Sequence, residues 1–320
     1  MSQSVAATGP RPRPQAPPRH RSGFAARFLR TPVAFAGAVV VGVYLAAALA
    51  APALAPSDPL AMAAQTLLRP PGGTHPFGTD QFGRDVLSRL LYGSRTSLVV
   101  SFASVLVALL AGGGTGIVGG YFGGPLDGVL MRSMDVIFAF PAVLLAIAIM
   151  AVAGTAVWTI IVAIGIVYTP QFARVGRASV LETRGLEYVE AARALGDRTR
   201  RILLRHILPN ISAPLIVQTS LSLSLAILTE SALSFLGLGT QPPTPSWGNM
   251  LAESRRYMAL APWTAVFPGA AIALIVLGFN LLGDGLRDLL DPRLRACPAA
   301  GGRAGDPLGG GMSLRPPACL

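Results

Sequence analysis

The sequence predicts an all-α polytopic membrane protein. Hydrophobic residues make up 52% of the chain and charged residues only 13%, whereas a soluble domain carries about 25% charged residues. The mean hydropathy is +0.56. The apolar residues are gathered in six runs, most of them near the roughly 20 residues that a helix needs to cross a bilayer. We therefore expect six transmembrane helices.

The six apolar runs differ in length. The first is longer than the apolar part of a signal peptide, so we interpret it as a membrane span. The fourth run is short and approaches full length only if it extends over 155–172, through Pro170. The six predicted spans are 33–55, 98–118, 136–153, 157–168, 215–238 and 263–282.

All 26 basic residues are arginines. Because the phosphate-binding loop of an ATPase needs a lysine, this chain is not expected to bind ATP. No catalytic triad, nucleophile elbow or zinc motif is visible, so we expect a transport protein and not an enzyme. The histidines and cysteines lack metal-ligand spacing, and neither a metal nor a cofactor is predicted; these residues are His20, His75, His206, Cys297 and Cys319.

The arginines also predict the orientation of the chain. Six spans place both termini on one side of the membrane, and that side carries 20 arginines against 6 on the other. Because cytoplasmic loops are rich in basic residues, both termini are expected in the cytoplasm. The net charge of +11 is interpreted in the same way, and binding to nucleic acid is not expected. The composition of the terminal segments, 1–32 and 293–320, predicts disordered cytoplasmic tails.

The most informative segment is residues 187–196, called the EAA segment below. It lies in the loop that is richest in arginine, between the fourth and fifth runs. Its apolar residues recur at helical spacing and predict a short amphipathic helix, and Gly196 suits the left-handed position that ends a helix. The expected apolar face consists of Leu186, Val189, Ala192 and Leu195.

This segment resembles the EAA loop of ABC-importer permeases. The matching residues are Glu187, Glu190, Ala191, Ala192 and Gly196, followed after a spacer by Leu208 and Pro209. His206 stands where the general pattern has isoleucine, as in the peptide-permease branch. Three further stretches resemble the C-type subunit of the dipeptide, oligopeptide and nickel permeases, and they occur in the expected order at 75–89, 230–250 and 279–293.

The resemblance implies a type I ABC-importer permease fold in the plasma membrane. It implies a first span and external loop over 33–95 and a transmembrane domain with a cytoplasmic coupling loop over 96–292. The expected partners are a second permease subunit, cytoplasmic ATPase subunits, an external substrate-binding protein and membrane lipid. The two permease subunits would each form half of a pathway for dipeptides or oligopeptides.

Other interpretations remain open from the sequence. The same architecture also imports nickel or another small solute, and the EAA segment has the pattern of an ordinary interfacial helix. A proton-coupled secondary transporter would use Glu230, an acid within an apolar run, as its proton site. Glu230 either lines the pathway or braces the external loop, and its place near the outer end of the fifth run favours the second role.

Two expectations concern the external side. Val86, Leu87, Leu90 and Leu91 fall on one face of a short helix that is expected to end near Gly93. Trp247 lies in a proline-rich loop and is expected to anchor it at the membrane interface.

Overall fold

The computed structural model describes Phe28 and residues 31–290, and the described chain is built from helices. The predicted tail at 293–320 and most of the tail at 1–32 lie outside these residues. The helices are α1 Pro32–Leu49, α2 Ala51–Leu54, α3 Val86–Ala108, α4 Gly114–Phe122, α5 Gly124–Phe138, α6 Ala142–Ala153, α7 Val157–Arg184, α8 Glu187–Ala194, α9 Thr199–Ile202, α10 Leu208–Phe235, α11 Trp247–Ser254 and α12 Trp263–Leu290.

Five stretches of helix are long and apolar enough to cross a membrane, and α5 with α6 makes a sixth if this bent pair is one span. The predicted number of spans is therefore confirmed on that count. The predicted bounds were generally too narrow, because hydropathy does not detect the polar turns that extend a helix beyond the bilayer core. The continuous helices are Val86–Phe122, Val157–Arg184 and Thr199–Phe235, with Pro32–Leu49 and Trp263–Leu290 at the two ends.

The helix that contains the second span runs without interruption past Gly93, so the expected separate external helix was wrong. Asp85 begins α3 by accepting a 2.7 Å hydrogen bond from the backbone N–H of Ser88, as an N-cap residue does. A Cβ at Gly93 would lie 3.4 Å from the ring of Trp247. Glycine therefore serves close packing here and does not end the helix.

A π-helical turn, Leu109–Gly113, joins α3 to α4 within the second span. The part of this span that follows α3 packs on α7 through glycines. A Cβ at Gly112 or Gly116 would overlap the carbonyl oxygen of Thr169 or Ala173, respectively. Since residue numbers increase in the same direction along both helices, α4 and α7 run parallel at this contact.

The third predicted span, 136–153, is bent. Helices α5 and α6 meet at an angle of 90°, and Pro141 is the residue that precedes α6. Proline disfavours the helical conformation of the residue before it, which explains a break at this position. By contrast, Pro170 lies inside α7 without ending it, and the buried side chains around it enclose the helix on several sides.

Helix α11 packs against the start of α3 and the loop that precedes it, at one end of the bundle. Trp247 is fully buried at the start of α11, so its expected position at the membrane interface was wrong. Its indole N–H donates a 3.1 Å hydrogen bond to the carbonyl oxygen of Leu90, and its ring meets that of Tyr44 edge to face at 5.8 Å. Trp247 therefore joins α1, α3 and α11.

Candidate functional site

The EAA segment forms the expected short helix, α8. Gly196 has φ of +79°, which is the left-handed conformation that glycine adopts most readily. Its backbone N–H donates a 3.0 Å hydrogen bond to the carbonyl oxygen of Arg193. The backbone N–H of Asp197 donates a 3.1 Å hydrogen bond to the carbonyl oxygen of Ala192. These bonds satisfy carbonyl groups at the end of the helix and turn the chain sharply toward α9.

Only the middle of the predicted apolar face is buried. Val189 is fully buried and Ala192 is nearly so, whereas Leu186 is 43% exposed and Leu195 is 87% exposed. The predicted short helix is therefore present, but only the two central residues of its apolar face are buried in the bundle. The helix ends at Ala194, so Leu195 already belongs to the turn and points away from the bundle.

The polar and small residues of the segment lie on its outer surface. Glu187, Glu190, Ala191 and Gly196 are all exposed. Small and acidic residues on a short, firmly capped helix leave a surface that another protein can approach closely. Apolar Leu195 adds an exposed anchor beside them.

The second part of the motif begins the next long helix. Leu208 and Pro209 are the first residues of α10. The π-helical turn Leu203–Ile207 lies directly before them and joins α10 to α9 in one continuous helix. The side-chain amide of the next residue, Asn210, donates 2.7 Å hydrogen bonds to the hydroxyl oxygen of Tyr188 and to the carbonyl oxygen of His206. The structure thus connects both halves of the motif directly.

A second connection reaches the end of α4. The guanidinium group of Arg184 donates hydrogen bonds to the carbonyl oxygens of Gly120 at 2.7 Å and Tyr121 at 3.3 Å. The guanidinium carbon of Arg193, in α8, lies 5.8 Å from the centre of the Tyr121 ring. Sequence reasoning counted these arginines only as charges and overlooked Tyr121. Tyr188, Arg193 and Asn210 stand in or next to the recognised motif, whereas Tyr121 and Arg184 lie outside it.

Glu230 lies inside α10, five residues before its end, and is fully buried. Its carboxylate accepts a 2.8 Å hydrogen bond from the hydroxyl group of Ser234 and a longer one, 3.5 Å, from Ser231. A Cβ at Gly239 or Gly248 would overlap Ser234. Through Ser234, Glu230 is therefore in contact with the chain that leads into α11.

A cluster of four charged residues lies where the start of α3 meets α11. Asp80 bonds to both Arg84 and Arg89, and Glu253 of α11 pairs with the same two arginines at 2.6 and 2.8 Å. Burial raises the pKa of Glu253, but the hydrogen bond and charge of Arg89 and the charge of Arg84 outweigh it, so the pKa lies below its usual value. The motif at 75–89 thus fastens the loop before α3 to α11.

A neighbouring polar group holds the start of α3. The carboxylate of Asp85 bonds to His75 Nδ1 at 2.9 Å and to the hydroxyl group of Ser88 at 2.8 Å. Asp85 therefore caps α3 with one oxygen and positions the His75 loop with the other. The polar residues at 75–89 therefore have structural roles, in this contact and in the four-charge cluster.

Comparison with known proteins agrees with this geometry. Residues 104–296 match the family described as the binding-protein-dependent transport system inner membrane component. Residues 22–71 match the N-terminal TM domain of oligopeptide transport permease C. The first match covers more than half of the chain and includes the EAA segment, Glu230 and α11.

Three relatives align over most of the chain. A dipeptide transport system permease protein, DppC, of Alkalihalophilus pseudofirmus is 45% identical over 82% of this chain and 87% of its own length. A glutathione transport system permease protein, GsiD, of Pectobacterium atrosepticum is 45% identical over 84% and 90%. A di/tripeptide permease protein, DppC, of Pseudomonas aeruginosa is 46% identical over 78% and 84%. This chain therefore belongs to the family of inner-membrane components of binding-protein-dependent transport systems, and it is a multi-pass permease subunit of an ABC importer.

Proposed function

We propose that this permease subunit forms half of a pathway that imports dipeptides or short oligopeptides. The names of its relatives support the substrate class, because dipeptides, tripeptides and glutathione are all short peptides. The observation that carries the mechanism is the exposed EAA segment, which lies between two long helices and is hydrogen-bonded to the second of them.

In this proposal the EAA segment is the coupling helix. Glu187, Glu190, Ala191 and Gly196 meet an ATPase subunit, and Leu195 enters a pocket on it. A short capped helix transmits displacement as a rigid body. Val189 and Ala192 anchor it to the bundle, and Leu208 and Pro209 carry the displacement into α10.

Energy must come from a separate chain, because the sequence contains no lysine to hold nucleotide phosphates. We therefore propose cytoplasmic ATPase subunits, a second permease subunit that completes the pathway, and an external binding protein that delivers the peptide. Both termini lie in the cytoplasm, on the side of the arginine-rich EAA loop. Residues 33–95 form the first span with its external loop, and residues 96–292 form the transmembrane domain.

A brace for the external loop is the role proposed for Glu230. Its hydrogen bonds to Ser231 and Ser234 and its complete burial favour a structural role over one in the pathway. A proton site needs alternating access to water, whereas this carboxyl group is fully buried in the structure. Nickel or another small solute remains an alternative cargo for the same architecture.

The proposal is tested by reconstitution in liposomes with the co-encoded subunits and binding protein. We expect uptake of a labelled dipeptide such as Ala-Ala only when ATP and the binding protein are both present, and we expect Ni²⁺ to compete poorly. Uptake by this chain alone under a proton gradient would contradict the proposal.

A further inference from the structure

The cytoplasmic end of α4 is attached to the segment that contains the EAA helix, although α4 belongs to the second span. Arg184, the last residue of α7, donates to the carbonyl oxygens of Gly120 and Tyr121. These carbonyl groups lie at the end of a helix, where they lack intrahelical partners. A charged donor is well suited to them, and hydrogen bonds of this kind are stronger than neutral ones.

The attachment continues along the length of α4. Small residues allow its backbone to touch that of α7, and a Cβ at Gly120 would lie 3.1 Å from the carbonyl oxygen of Arg177. Such close backbone contact is typical of helices that stay together in a membrane. The contacts at Gly112, Gly116 and Gly120 span two helical turns, so α4 and the cytoplasmic half of α7 pack as one body.

In both helices the regular hydrogen-bond pattern is interrupted at the end of this body that lies away from Arg184. The π-helical turn Leu109–Gly113 directly precedes α4, and Gly112 within it contacts Thr169, the residue before Pro170. Proline removes a backbone hydrogen bond from α7, and π-helical turns are common at functional positions. The two weakened hydrogen-bond ladders therefore lie side by side, where both helices can bend together.

We propose that α4, the cytoplasmic half of α7 and the EAA helix move as a single lever that bends at Leu109–Gly113 and Pro170, with Arg184 as the positioning residue that attaches α4. This inference rests on the proposed coupling function of the EAA segment. Along the chain, the EAA segment is connected only to α7 before it and to α10 after it. The proposed lever also includes part of the second span, which moves with the EAA segment.

The attachment is tested in the reconstituted complex with Arg184→Ala. We expect dipeptide uptake per ATP hydrolysed to fall about fivefold, within the range by which single residues alter coupling between sites. Arg184→Lys keeps a cationic donor and is expected to restore most of the ratio. The control Arg200→Ala removes an exposed arginine from α9 and is expected to leave the ratio unchanged. An unchanged ratio in Arg184→Ala would overturn the proposal.

The bend is tested by spin-label distances in the assembled complex, after Cys297 and Cys319 are replaced by serine. Labels at Val99 and Val118, which lie on opposite sides of the π-helical turn and are both exposed, are each paired with a label at Val39 of α1. On addition of ATP we expect the distance between the labels at Val118 and Val39 to change. The distance between the labels at Val99 and Val39 should stay the same. Equal shifts of both, or no shift at Val118, would contradict the lever.

If Arg184→Ala prevents assembly, deletion of Ala111 provides a second test. A π-helical turn contains one residue more than an α-helix needs, so the deletion straightens the span and preserves the register of both halves. We expect an assembled complex with a reduced uptake ratio, and a normal ratio would overturn the proposal. Variants of Glu190 and Gly196 distinguish failure of the lever from failure of the coupling function. If these variants also give a normal uptake ratio, the proposed coupling function of the EAA segment is itself contradicted.

Discussion

The hydroxyl oxygen of Tyr188 accepts a 2.7 Å hydrogen bond from the side-chain amide of Asn210. Tyr188 lies in α8 and Asn210 in the first turn of α10, so this bond joins the EAA helix to the following long helix. The ring of His206 also lies near Tyr188, with 6.1 Å between the ring centres. A displacement of α8 is thus transmitted to α10 by side-chain contact as well as through the intervening chain.

Tyr188→Phe removes this bond and keeps the ring. We expect uptake per ATP to fall about threefold, because a single hydrogen bond contributes about 0.5–1.5 kcal/mol. Tyr92→Phe is the control, since the described residues give its hydroxyl group no hydrogen bond. Transport assays of the reconstituted complex measure the ratio, and equal values for the two variants would remove Tyr188 from the coupling path.

Gly196→Ala tests the left-handed turn after α8. No atom lies within 4 Å of an added Cβ, so the cost is the left-handed backbone alone, about 1 kcal/mol. We expect weaker stimulation of ATPase activity by the loaded binding protein. Gly185→Ala is a matched control, because Gly185 has φ of −88° and equally open surroundings. A normal response of Gly196→Ala would show that the turn tolerates a side chain.

Glu253 predicts a loss of stability in acid. Its pKa in the folded protein is lower than the ordinary value of 4.5, so the folded state favours the charged carboxylate. This contribution is complete above pH 4.5 and is lost as the pH falls through the lower folded pKa. Thermal unfolding of the detergent-solubilised complex should therefore show a smaller acid dependence in Glu253→Gln. Asp58→Asn, at an exposed position, is the control, and identical pH profiles for Glu253→Gln and the unmodified protein would contradict the role of this cluster.

Glu230→Gln separates a structural carboxyl group from a proton carrier. Glutamine still accepts the hydrogen bond from Ser234, so we expect uptake within about twofold of the unmodified complex, since the variant retains the bond. Glu230→Ala leaves a cavity and an unpaired hydroxyl group, and its apparent Tm should fall. Abolished uptake in Glu230→Gln, with normal assembly and Tm, would identify Glu230 as part of the pathway.

The number of spans was predictable because apolar length is the main requirement for crossing a bilayer. The bend at Pro141 and the continuity through Pro170 were not, because their difference depends on the neighbouring helices that enclose α7. Gly93 illustrates the same limit. Glycine there has the sequence pattern of a helix end, but it allows the buried Trp247 to pack against a continuous helix.

The EAA segment was recognisable because its glycine and small residues recur at fixed spacing along one stretch. The contacts that join it to the bundle were not, since they link residues far apart in sequence. Arg184 reaches Gly120 across 64 positions and Asn210 reaches Tyr188 across 22. Leu195 continues the apolar periodicity of the segment, but α8 ends at Ala194, and periodicity alone does not tell where a helix ends.

The most direct measurement of the proposed mechanism is ATPase stimulation in the reconstituted complex that carries Glu190→Ala and Gly196→Ala together. Both residues are exposed, and neither is needed to pack the bundle. We expect normal assembly and basal hydrolysis, with little or no stimulation by peptide-loaded binding protein. Full stimulation, together with normal dipeptide uptake, would show that the EAA segment does not couple ATP hydrolysis to transport.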